Sequence, residues 1–339
     1  MKMDSRKRYL KLLHRFRDCP ILVYGDLVAD EFVYGEISRI SREAPVLILR
    51  HQESRIVPGG GANAVNNLSA LGARPIPVGV LGMDAAGQSL RRYFSKRKIP
   101  LSFLQQIRGY PTPTKTRYSA GSLHSSRQQV LRIDRGTLFQ HTSITHRATR
   151  QSLEKVLRIC KGILISDYGF GFVDPQIVRT ISQGRRRNLP ITLDSRFNLM
   201  GFQGLTAATP NEPEVEAALG IKIGTNATFL EQSGRKLLKK LQLEALLITR
   251  GRDGMTLFEP GKRSSHIPIH GTDEIADVTG AGDTVIAVFT LALAAGSSFY
   301  EAARLSNYAG GIVVMKHGTA TVTVEELSLA IQEDVTLRD

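Results

Sequence analysis

The sequence predicts an α/β fold in which a mostly parallel central sheet is flanked by helices and carries a small β-sheet lid. Short β-branched runs alternate with helical segments along most of the 339 residues, a pattern typical of strand–helix–strand units. Two stretches, at about 32–57 and 101–134, interrupt the alternation with extended segments and no helix between them. The length allows one large α/β domain or two ordinary ones.

The elements follow in chain order from the apolar pattern and the flanking turn residues. The predicted strands of the main sheet are 21–25, 77–82, 163–166, 191–194 and 245–249. The predicted helices are 62–72, 84–98, 174–187, 211–219, 229–242, 282–295, 299–315 and 324–332. Residues 118–122 and 129–133 are expected to form the arms of a lid hairpin. A lid at the carboxyl edge of an open α/β sheet would cover the usual ligand site.

The composition is that of a globular protein, with 42% hydrophobic and 22% charged residues and a formal net charge of +14. The basic residues are scattered and there is no Trp, so a solvated basic surface is favoured and no nucleic-acid partner is expected. The two cysteines cannot form a disulfide framework. Without a predicted membrane span or leader segment, a cytoplasmic protein is expected.

Residues 1–20 are expected to form a basic helical extension ahead of a domain at 21–335. Within residues 2–17 four apolar side chains lie among lysines and arginines: Leu10, Leu12, Leu13 and Phe16. Two interpretations remain open, a helix packed on the body of the protein and a helix resting on an anionic membrane.

The strongest chemical signal is the run from Asp277 to Thr284, Asp-Val-Thr-Gly-Ala-Gly-Asp-Thr, which is followed directly by an apolar helical segment. The N–H groups that open a helix lack intrahelical partners and favour anions. Glycines permit the close approach of a ligand, and a phosphoryl group in transfer carries negative charge. Gly280, Ala281 and Gly282 therefore form a candidate anion hole. Asp283, in the first turn, could accept a proton from an attacking hydroxyl, or could simply cap the helix.

Two further motifs each stand between a strand and the next element. Residues 58–63, Pro-Gly-Gly-Gly-Ala-Asn, precede a helix, and Asn63 could offer a donor and an acceptor to a hydroxyl group. Residues 25–30 end the first strand with two carboxylates, and of these Asp30 is favoured over Asp26 as a sugar ligand. Each motif could also be a plain structural turn.

Together these motifs identify the chain as similar to the ribokinase-like (PfkB) carbohydrate kinases. The early Gly-Gly-x-Ala-Asn element and the late Asp-x-Thr-Gly-Ala-Gly-Asp element have that family's order, separation and context. The chain is most similar to the members that phosphorylate D-glycero-D-manno-heptose 7-phosphate at C1. The segments that carry this closer similarity are 38–46, 114–117, 128–134, 166–168, 209–211 and 318–322.

The resemblance implies a ribokinase-like fold, ATP and Mg²⁺ as cofactors, possible dependence on a monovalent cation, and a homodimer formed through the lid. It implies that Asp283 is the catalytic base and that Gly280, Ala281 and Gly282 bind the transferring phosphate. The positions that match sugar contacts are Asp30, Gly59, Gly60 and Asn63. The positions that match the nucleotide side are Asn211, Glu214, Thr249, Gly251, Gly254 and Asn307, with Glu214 holding Mg²⁺ through water.

A substrate that already carries a phosphate also needs cations. Arg39, Lys115 and Arg117 lie in the predicted lid or its approach and are the candidates. Family members with this substrate usually have a basic residue where Phe170 and Glu31 stand, so another sugar, sugar phosphate or nucleoside stays an alternative. A catalytically idle sugar-binding regulator is a second alternative. Many relatives carry a further nucleotidyltransferase domain with a His-x-Gly-His motif, which this sequence lacks, so phosphorylation alone is expected.

Overall fold

The structure, a computed structural model, describes residues 5–121, 128–224, 226–271, 277–316 and 318–337. The strands are β1 (Pro20–Gly25), β2 (Leu27–Ile40), β3 (Leu47–Gly60), β4 (Arg74–Gly82), β5 (Leu104–Ile107), β6 (Thr114–Gly121), β7 (Gln128–Arg135), β8 (Gly162–Asp167), β9 (Ile191–Ser195), β10 (Ala207–Ala208), β11 (Ala245–Thr249), β12 (Met255–Phe258) and β13 (Ser265–Ile267). The helices are α1 (Ser5–His14), α2 (Gly61–Ala70), α3 (Ala85–Lys96), α4 (Ser143–Leu157), α5 (Pro175–Gly184), α6 (Glu212–Leu219), α7 (Ala227–Lys240), α8 (Ala281–Ala294), α9 (Phe299–Val314) and α10 (Val324–Glu333).

Nine strands form the central sheet in the order β13-β12-β11-β10-β9-β8-β1-β4-β5. Neighbours from β11 through β5 pair in parallel, and β12 and β13 add an antiparallel edge. All six residues of β1 and of β8 are buried, as expected for strands covered by helices on both faces. The predicted mostly parallel α/β fold is confirmed.

Helices cover both faces of this sheet and divide the core into two apolar clusters. One cluster includes side chains of α1, α2, α3, α8, α9 and α10. The other includes side chains of α4, α5, α6 and α7. The carboxyl ends of the parallel strands therefore open at one edge, where the connecting loops meet.

A separate four-stranded sheet with the order β3-β2-β6-β7 forms the lid. Tyr118 pairs with Leu131 across the antiparallel β6–β7 hairpin, as predicted, and residues 122–127 lie outside the described part of the chain. Residues 104–107, which the sequence analysis places in the lid, belong instead to the main sheet. They form β5, which pairs in parallel with β4 after the α3 crossover, and Leu104 is buried in the core.

The basic N-terminal segment packs on the body of the protein, which confirms one of its two interpretations. Tyr9, Leu12 and Leu13 of α1 are buried, and α1 contacts α10. The Arg8 guanidinium donates a hydrogen bond of 2.9 Å to Glu301 on α9. The apolar face that could have entered a membrane is thus covered. In the described ranges no helix is both long and apolar enough to cross a bilayer.

Candidate active site

A cavity of about 660 Å³, the main cavity, opens at the carboxyl edge of the central sheet, between the lid and the start of α8. Most of the predicted site residues line it, namely Asp30, Gly60, Lys115, Arg117, Asn211, Glu214, Thr249, Gly251, Gly254, Gly280, Ala281, Gly282, Asp283 and Asn307. Gly59 and Asn63 are not in the lining, but each contacts a residue that is, Asp30 and Asp283 respectively. Arg39 lies on an exposed part of the lid, outside the lining.

The start of α8 leaves two of its N–H groups available. Gly280 precedes the helix with φ of 79° and offers no side-chain cap. The Ala281 N–H donates to the Val278 carbonyl at 3.3 Å, whereas the N–H groups of Gly282 and Asp283 keep no intrahelical or capping acceptor. A Cβ at Gly280 would lie 2.5 Å from Asn63 Nδ2, whereas a Cβ at Gly282 would meet nothing within 4 Å. The open side of this turn therefore faces the cavity and suits an anion.

The preceding loop is fixed by Asp277. Its carboxylate accepts hydrogen bonds from the backbone N–H groups of Thr279 (2.8 Å) and Gly318 (3.0 Å). These two bonds fix the turn before α8 and leave the N–H groups of Gly282 and Asp283 unused.

Asp283 is buried, and both of its carboxylate oxygens are held. The Tyr168 hydroxyl donates to Oδ1 at 2.7 Å, and Asn63 Nδ2 donates to Oδ2 at 3.0 Å. Burial raises the pKa of Asp283 to about 6, and these two hydrogen bonds oppose the rise. The carboxylate is therefore ionised at neutral pH yet basic enough to take a proton from a hydroxyl group.

Asn63 is thus placed by the structure behind the base. Its side-chain carbonyl accepts from Asn67 Nδ2 at 3.2 Å, and Asn67 in turn accepts from the Thr284 hydroxyl at 3.1 Å. This buried chain of hydrogen bonds joins α2 to α8. The arrangement assigns Asn63 to holding Asp283, while its predicted contact with a sugar stays a prediction.

Tyr168 is a functional residue that the motif reasoning did not assign. It stands after β8, in a loop whose backbone is held by Asp26. The Asp26 carboxylate accepts hydrogen bonds from the N–H groups of Tyr168 (2.9 Å), Phe170 (3.0 Å) and Phe172 (3.2 Å). Asp26 and Tyr168 are therefore positioning residues for Asp283. The sequence signal that could have indicated this arrangement was a pair of acidic residues at the ends of two adjacent strands, Asp26 directly after β1 and Asp167 at the end of β8.

Asp30 projects from β2 into the main cavity and is paired there. Its Oδ1 accepts from Arg117 at 2.7 Å, in an ion pair that is almost fully buried, and the Thr319 hydroxyl donates to Oδ2 at 3.3 Å. Gly59 pairs with Val28 in the β2–β3 register, and a Cβ at Gly59 would lie 2.6 Å from the Asp30 carboxylate and would displace it. Gly59 accordingly makes room for Asp30.

The strand register places several charged side chains on the inner face of the lid. Asp30, Lys115 and Asp134 stand side by side on β2, β6 and β7, and Arg117 and Arg132 are paired two residues further along. Side chains two residues apart share a face, so this group points the same way.

The inner-face cations differ in how far they are already neutralised. Arg117 is paired with Asp30, and Arg132 donates to both oxygens of Asp134. Lys115 Nζ lies 4.6 Å from the centre of the Tyr168 ring, and burial lowers its pKa. Arg196, after β9, also lines the cavity and was not among the predicted phosphate ligands.

The side of the cavity where the sequence predicts the nucleotide is shaped by turns at the ends of β10 and β11. Asn211 and Glu214 form a reciprocal capping box at the start of α6, with hydrogen bonds of 2.9 Å in both directions. Asn211 also bridges to Thr249 of β11. Gly254 has φ of 74°, and a Cβ there would lie 2.2 Å from the Ile267 carbonyl oxygen. Asn307 Nδ2 donates to the Pro268 carbonyl at 2.8 Å, which fixes the wall beside it.

Two carboxylates and one hydroxyl, those of Asp194, Glu214 and Thr209, line the main cavity near Asn211. Oxygen ligands of this kind suit Mg²⁺ and the phosphate groups bound to it. Burial and the neighbouring Glu214 raise the pKa of Asp194, and burial raises the pKa of Glu214. The buried Thr209 hydroxyl oxygen lines the same cavity and has no hydrogen-bond partner among the described residues. In that part of the chain no group of three or more His, Cys, Asp or Glu could enclose a metal. This oxygen set fits Mg²⁺, which keeps waters and substrate phosphates as most of its ligands.

The site as a whole combines a buried carboxylate base, an anion-binding helix start and a cavity with cations on its opposite wall. These are the parts required for phosphoryl transfer to a hydroxyl group. The class of protein is therefore a phosphotransferase with an α/β kinase fold.

The chain belongs to the pfkB family of carbohydrate kinases, whose description it matches over residues 21–326. It is a phosphotransferase that acts on a sugar hydroxyl, and ATP with Mg²⁺ is the donor that the family implies.

Curated relatives agree with this assignment. The chain is 38% identical over 317 residues to the Bifunctional protein HldE of Pasteurella multocida, covering 93% of this chain and 64% of the relative. It is 39% identical over 324 residues to the protein of the same name from Hahella chejuensis, covering 95% of this chain and 65% of that one. The chain thus spans slightly less than two thirds of the length of these relatives.

Solved structures confirm the ribokinase-like fold. The Arabidopsis thaliana ribokinase, in complex with ribose and ATP, superposes with a TM-score of 0.72 at 18% identity, over 93% of this chain and 99% of that one. The phosphofructokinase-2 of Escherichia coli gives a TM-score of 0.73 at 15% identity, over 93% and 98% of the two chains.

Proposed function

We propose that this chain transfers the γ-phosphate of ATP to the C1 hydroxyl of D-glycero-D-manno-heptose 7-phosphate, a step toward ADP-heptose. The observation that carries the proposal is the buried Asp283, hydrogen-bonded on both oxygens, beside an uncapped helix start and opposite a cationic lid face. The similarity to relatives named HldE, at 38–39% identity over more than nine tenths of the chain, favours this substrate.

Asp283 holds the acceptor hydroxyl and takes its proton on a carboxylate oxygen as that hydroxyl attacks. Tyr168 and Asn63 keep the carboxylate oriented, and the N–H group of Gly282, on the open side of the α8 start, stabilises the charge on the transferring group. Asp194 and Glu214 are the residues that would hold the waters of a bound Mg²⁺, which would supply further positive charge beside the ATP phosphates. Most of the acceleration comes from positioning and electrostatics.

Asp30, Gly59 and Gly60 form the sugar-binding wall. Arg117 acts through Asp30, because its guanidinium is already paired with that carboxylate. The phosphate that the substrate carries is assigned to Lys115, with Arg132 and Arg196 as the other cations of the cavity. Arg39 stays a candidate only if a second subunit brings it to a site.

We further propose a homodimer formed through the lid and a stimulation by monovalent cations. The lid exposes large apolar side chains on three of its strands and their turn: Ile37, Ile40, Val46, Leu47, Val130, Leu131 and Ile133. Exposed apolar surface of this extent is typical of an interface. Light scattering on the protein and on an Ile40→Asp/Leu131→Asp variant tests the dimer, and replacing K⁺ by tetramethylammonium in the assay tests the cation.

An ATP-consumption assay with a panel of acceptors tests the substrate. The panel contains heptose 7-phosphate, sedoheptulose 7-phosphate, fructose 6-phosphate, ribose, fructose and adenosine. Turnover confined to heptose 7-phosphate is expected. Turnover on another acceptor with heptose 7-phosphate ignored would refute the substrate and keep the kinase mechanism. No ATP consumption with any acceptor would refute both.

A further inference from the structure

A second cavity, of about 510 Å³, lies between α4 and α5 and shares no lining residue with the main cavity. The α4 residues that line it are His146, Arg150, Leu153, Glu154 and Leu157, and Arg158 directly after the helix also lines it. Their spacing of three and four residues places them on one face of the helix. We refer to this cavity as the α4–α5 groove.

The floor of the α4–α5 groove is apolar. Leu153 from α4, Ile177 and Ile181 from α5, and Leu189 from the following segment are buried and line it. These side chains belong to the core cluster beneath the two helices. The groove therefore opens onto a preformed hydrophobic surface, and its volume lies in the range of small-molecule sites, about 300–1,000 Å³.

The rim of the groove is strongly basic. Four arginines line it, Arg150, Arg158, Arg185 and Arg186, and Glu154 is the single carboxylate in the lining. Arg185 is already paired with the Glu244 carboxylate, which lies outside the lining, so the excess positive charge of the rim comes from Arg150, Arg158 and Arg186.

Two of these arginines are held in place and two are not. Arg185 donates to the Thr206 hydroxyl at 2.6 Å, and Arg186 donates to the Cys160 carbonyl, also at 2.6 Å. Arg150 and Arg158 are exposed and make no hydrogen bond or ion pair within the described ranges. Both come from the α4 side of the groove, where each guanidinium could bind an anionic head group bidentately.

We propose that the α4–α5 groove binds a small amphiphilic anion from solution, with a hydrocarbon chain or ring on the apolar floor and a carboxylate, sulfate or phosphate group at Arg150 and Arg158. Charge complementarity fixes the sign of the ligand, and the buried leucine and isoleucine floor fixes its apolar body. A fully polar anion would leave the floor wet, and a neutral hydrocarbon would leave Arg150 and Arg158 without a partner. The proposal is independent of the kinase substrate.

Isothermal titration of the full chain with dodecanoate, below its micelle concentration, tests the proposal. One ligand is expected to bind per chain, with affinity unchanged by saturating ATP and Mg²⁺, because the groove and the main cavity are separate. Dodecanol, which has the same chain and no charge, is expected to bind at least about tenfold more weakly, since it forms no charge-assisted hydrogen bond.

Charge reversal at the rim provides the decisive comparison. Arg150→Glu/Arg158→Glu is expected to weaken dodecanoate binding by about tenfold or more, because attraction becomes repulsion. The matched control, Lys155→Glu/Arg179→Glu, makes the same change of net charge at exposed positions of α4 and α5 outside the groove, and should bind as the parent does. Thr180→Trp, which fills the groove without changing charge, should abolish binding. Unchanged kinase turnover in each variant shows that it is folded.

Three results would overturn the proposal. The first is the absence of dodecanoate binding to the parent protein. The second is an equal loss of affinity in the two double variants, which would show a non-specific response to net charge. The third is binding to phosphatidylglycerol vesicles without binding of free dodecanoate, which would assign the surface to a membrane.

Discussion

Replacing Tyr168 by phenylalanine removes one of the two hydrogen bonds that hold the Asp283 carboxylate. The bond is 2.7 Å long and its acceptor is buried, so it favours the ionised form of the base. A hydrogen bond to a charged group contributes about 1.5–3 kcal/mol. Because about 1.4 kcal/mol corresponds to one unit, the pKa of Asp283 should rise from about 6 by roughly 1–2 units.

The expected result follows from the fraction of ionised base. At pH 7 this fraction should fall from about nine tenths to between about a half and a tenth, so kcat/KM should drop by about two- to tenfold. At pH 9 both enzymes have an ionised base, and most of the loss should disappear. The assay is kcat/KM for the sugar substrate between pH 5 and pH 9, measured by ATP consumption.

A matched control is Tyr93→Phe, which also loses one hydrogen bond, of 3.1 Å to Asn66, outside the main cavity. It should leave the pH profile unchanged. A Tyr168→Phe enzyme that loses the same fraction of its rate at every pH would refute the reasoning. That result would mean that the tyrosine shapes the site without acting on the base.

Four further changes test other parts of the site. Asp283→Asn should lower kcat by about 10² or more while ATP affinity is retained. The melting temperature of this variant at pH 7 should not fall. The pKa of Asp283 is higher in the folded protein than in the unfolded chain, so the buried charge costs stability at pH values above the unfolded pKa. Arg117→Met should lower the free energy of unfolding by about 3–5 kcal/mol in urea titrations, since Asp30 is left buried and unpaired, and Asp30→Leu added to it should restore much of the loss. Gly59→Ala should raise KM for the sugar by about tenfold or more and leave KM for ATP unchanged, because the new Cβ displaces the Asp30 carboxylate. Glu214→Gln should raise the Mg²⁺ concentration needed for half-maximal rate by about tenfold, and an unchanged Mg²⁺ dependence would refute its assignment.

The residues whose function depends on local chain geometry could be predicted from the sequence. Glycines before an apolar helical run give a helix start with free N–H groups, whatever surrounds it, so Gly280 and Gly282 were recognisable from their spacing alone. Asp283 was recognisable for the same reason, because it stands in the first turn of that helix. The alternation of strands and helices likewise predicted the parallel sheet.

The partners of these residues could not be predicted. Asn63 and Asp283 are 220 positions apart, and Arg117 and Asp30 are 87 positions apart, yet each pair is in direct contact. A pattern of residues carries no information about such distances, so the sequence predicted substrate contacts for Asn63 and Arg117, which stay predictions, and did not predict their contacts with Asp283 and Asp30. The edge strand at 104–107 was predicted to lie in the lid for a related reason. The sequence of an extended segment does not indicate which of two sheets the segment pairs with.

The sequence by itself determined the fold class, the position of the anion-binding turn and the kinase family, because each depends on periodicity or on short motifs. Tertiary structure alone decided which cations are free, which are neutralised, and how basic Asp283 becomes. The physical reason is that burial and pairing set the charge state of a side chain, and both are produced by segments remote in the chain. The α4–α5 groove also could not be predicted from the sequence, because its apolar floor and basic rim come together only when the two helices pack.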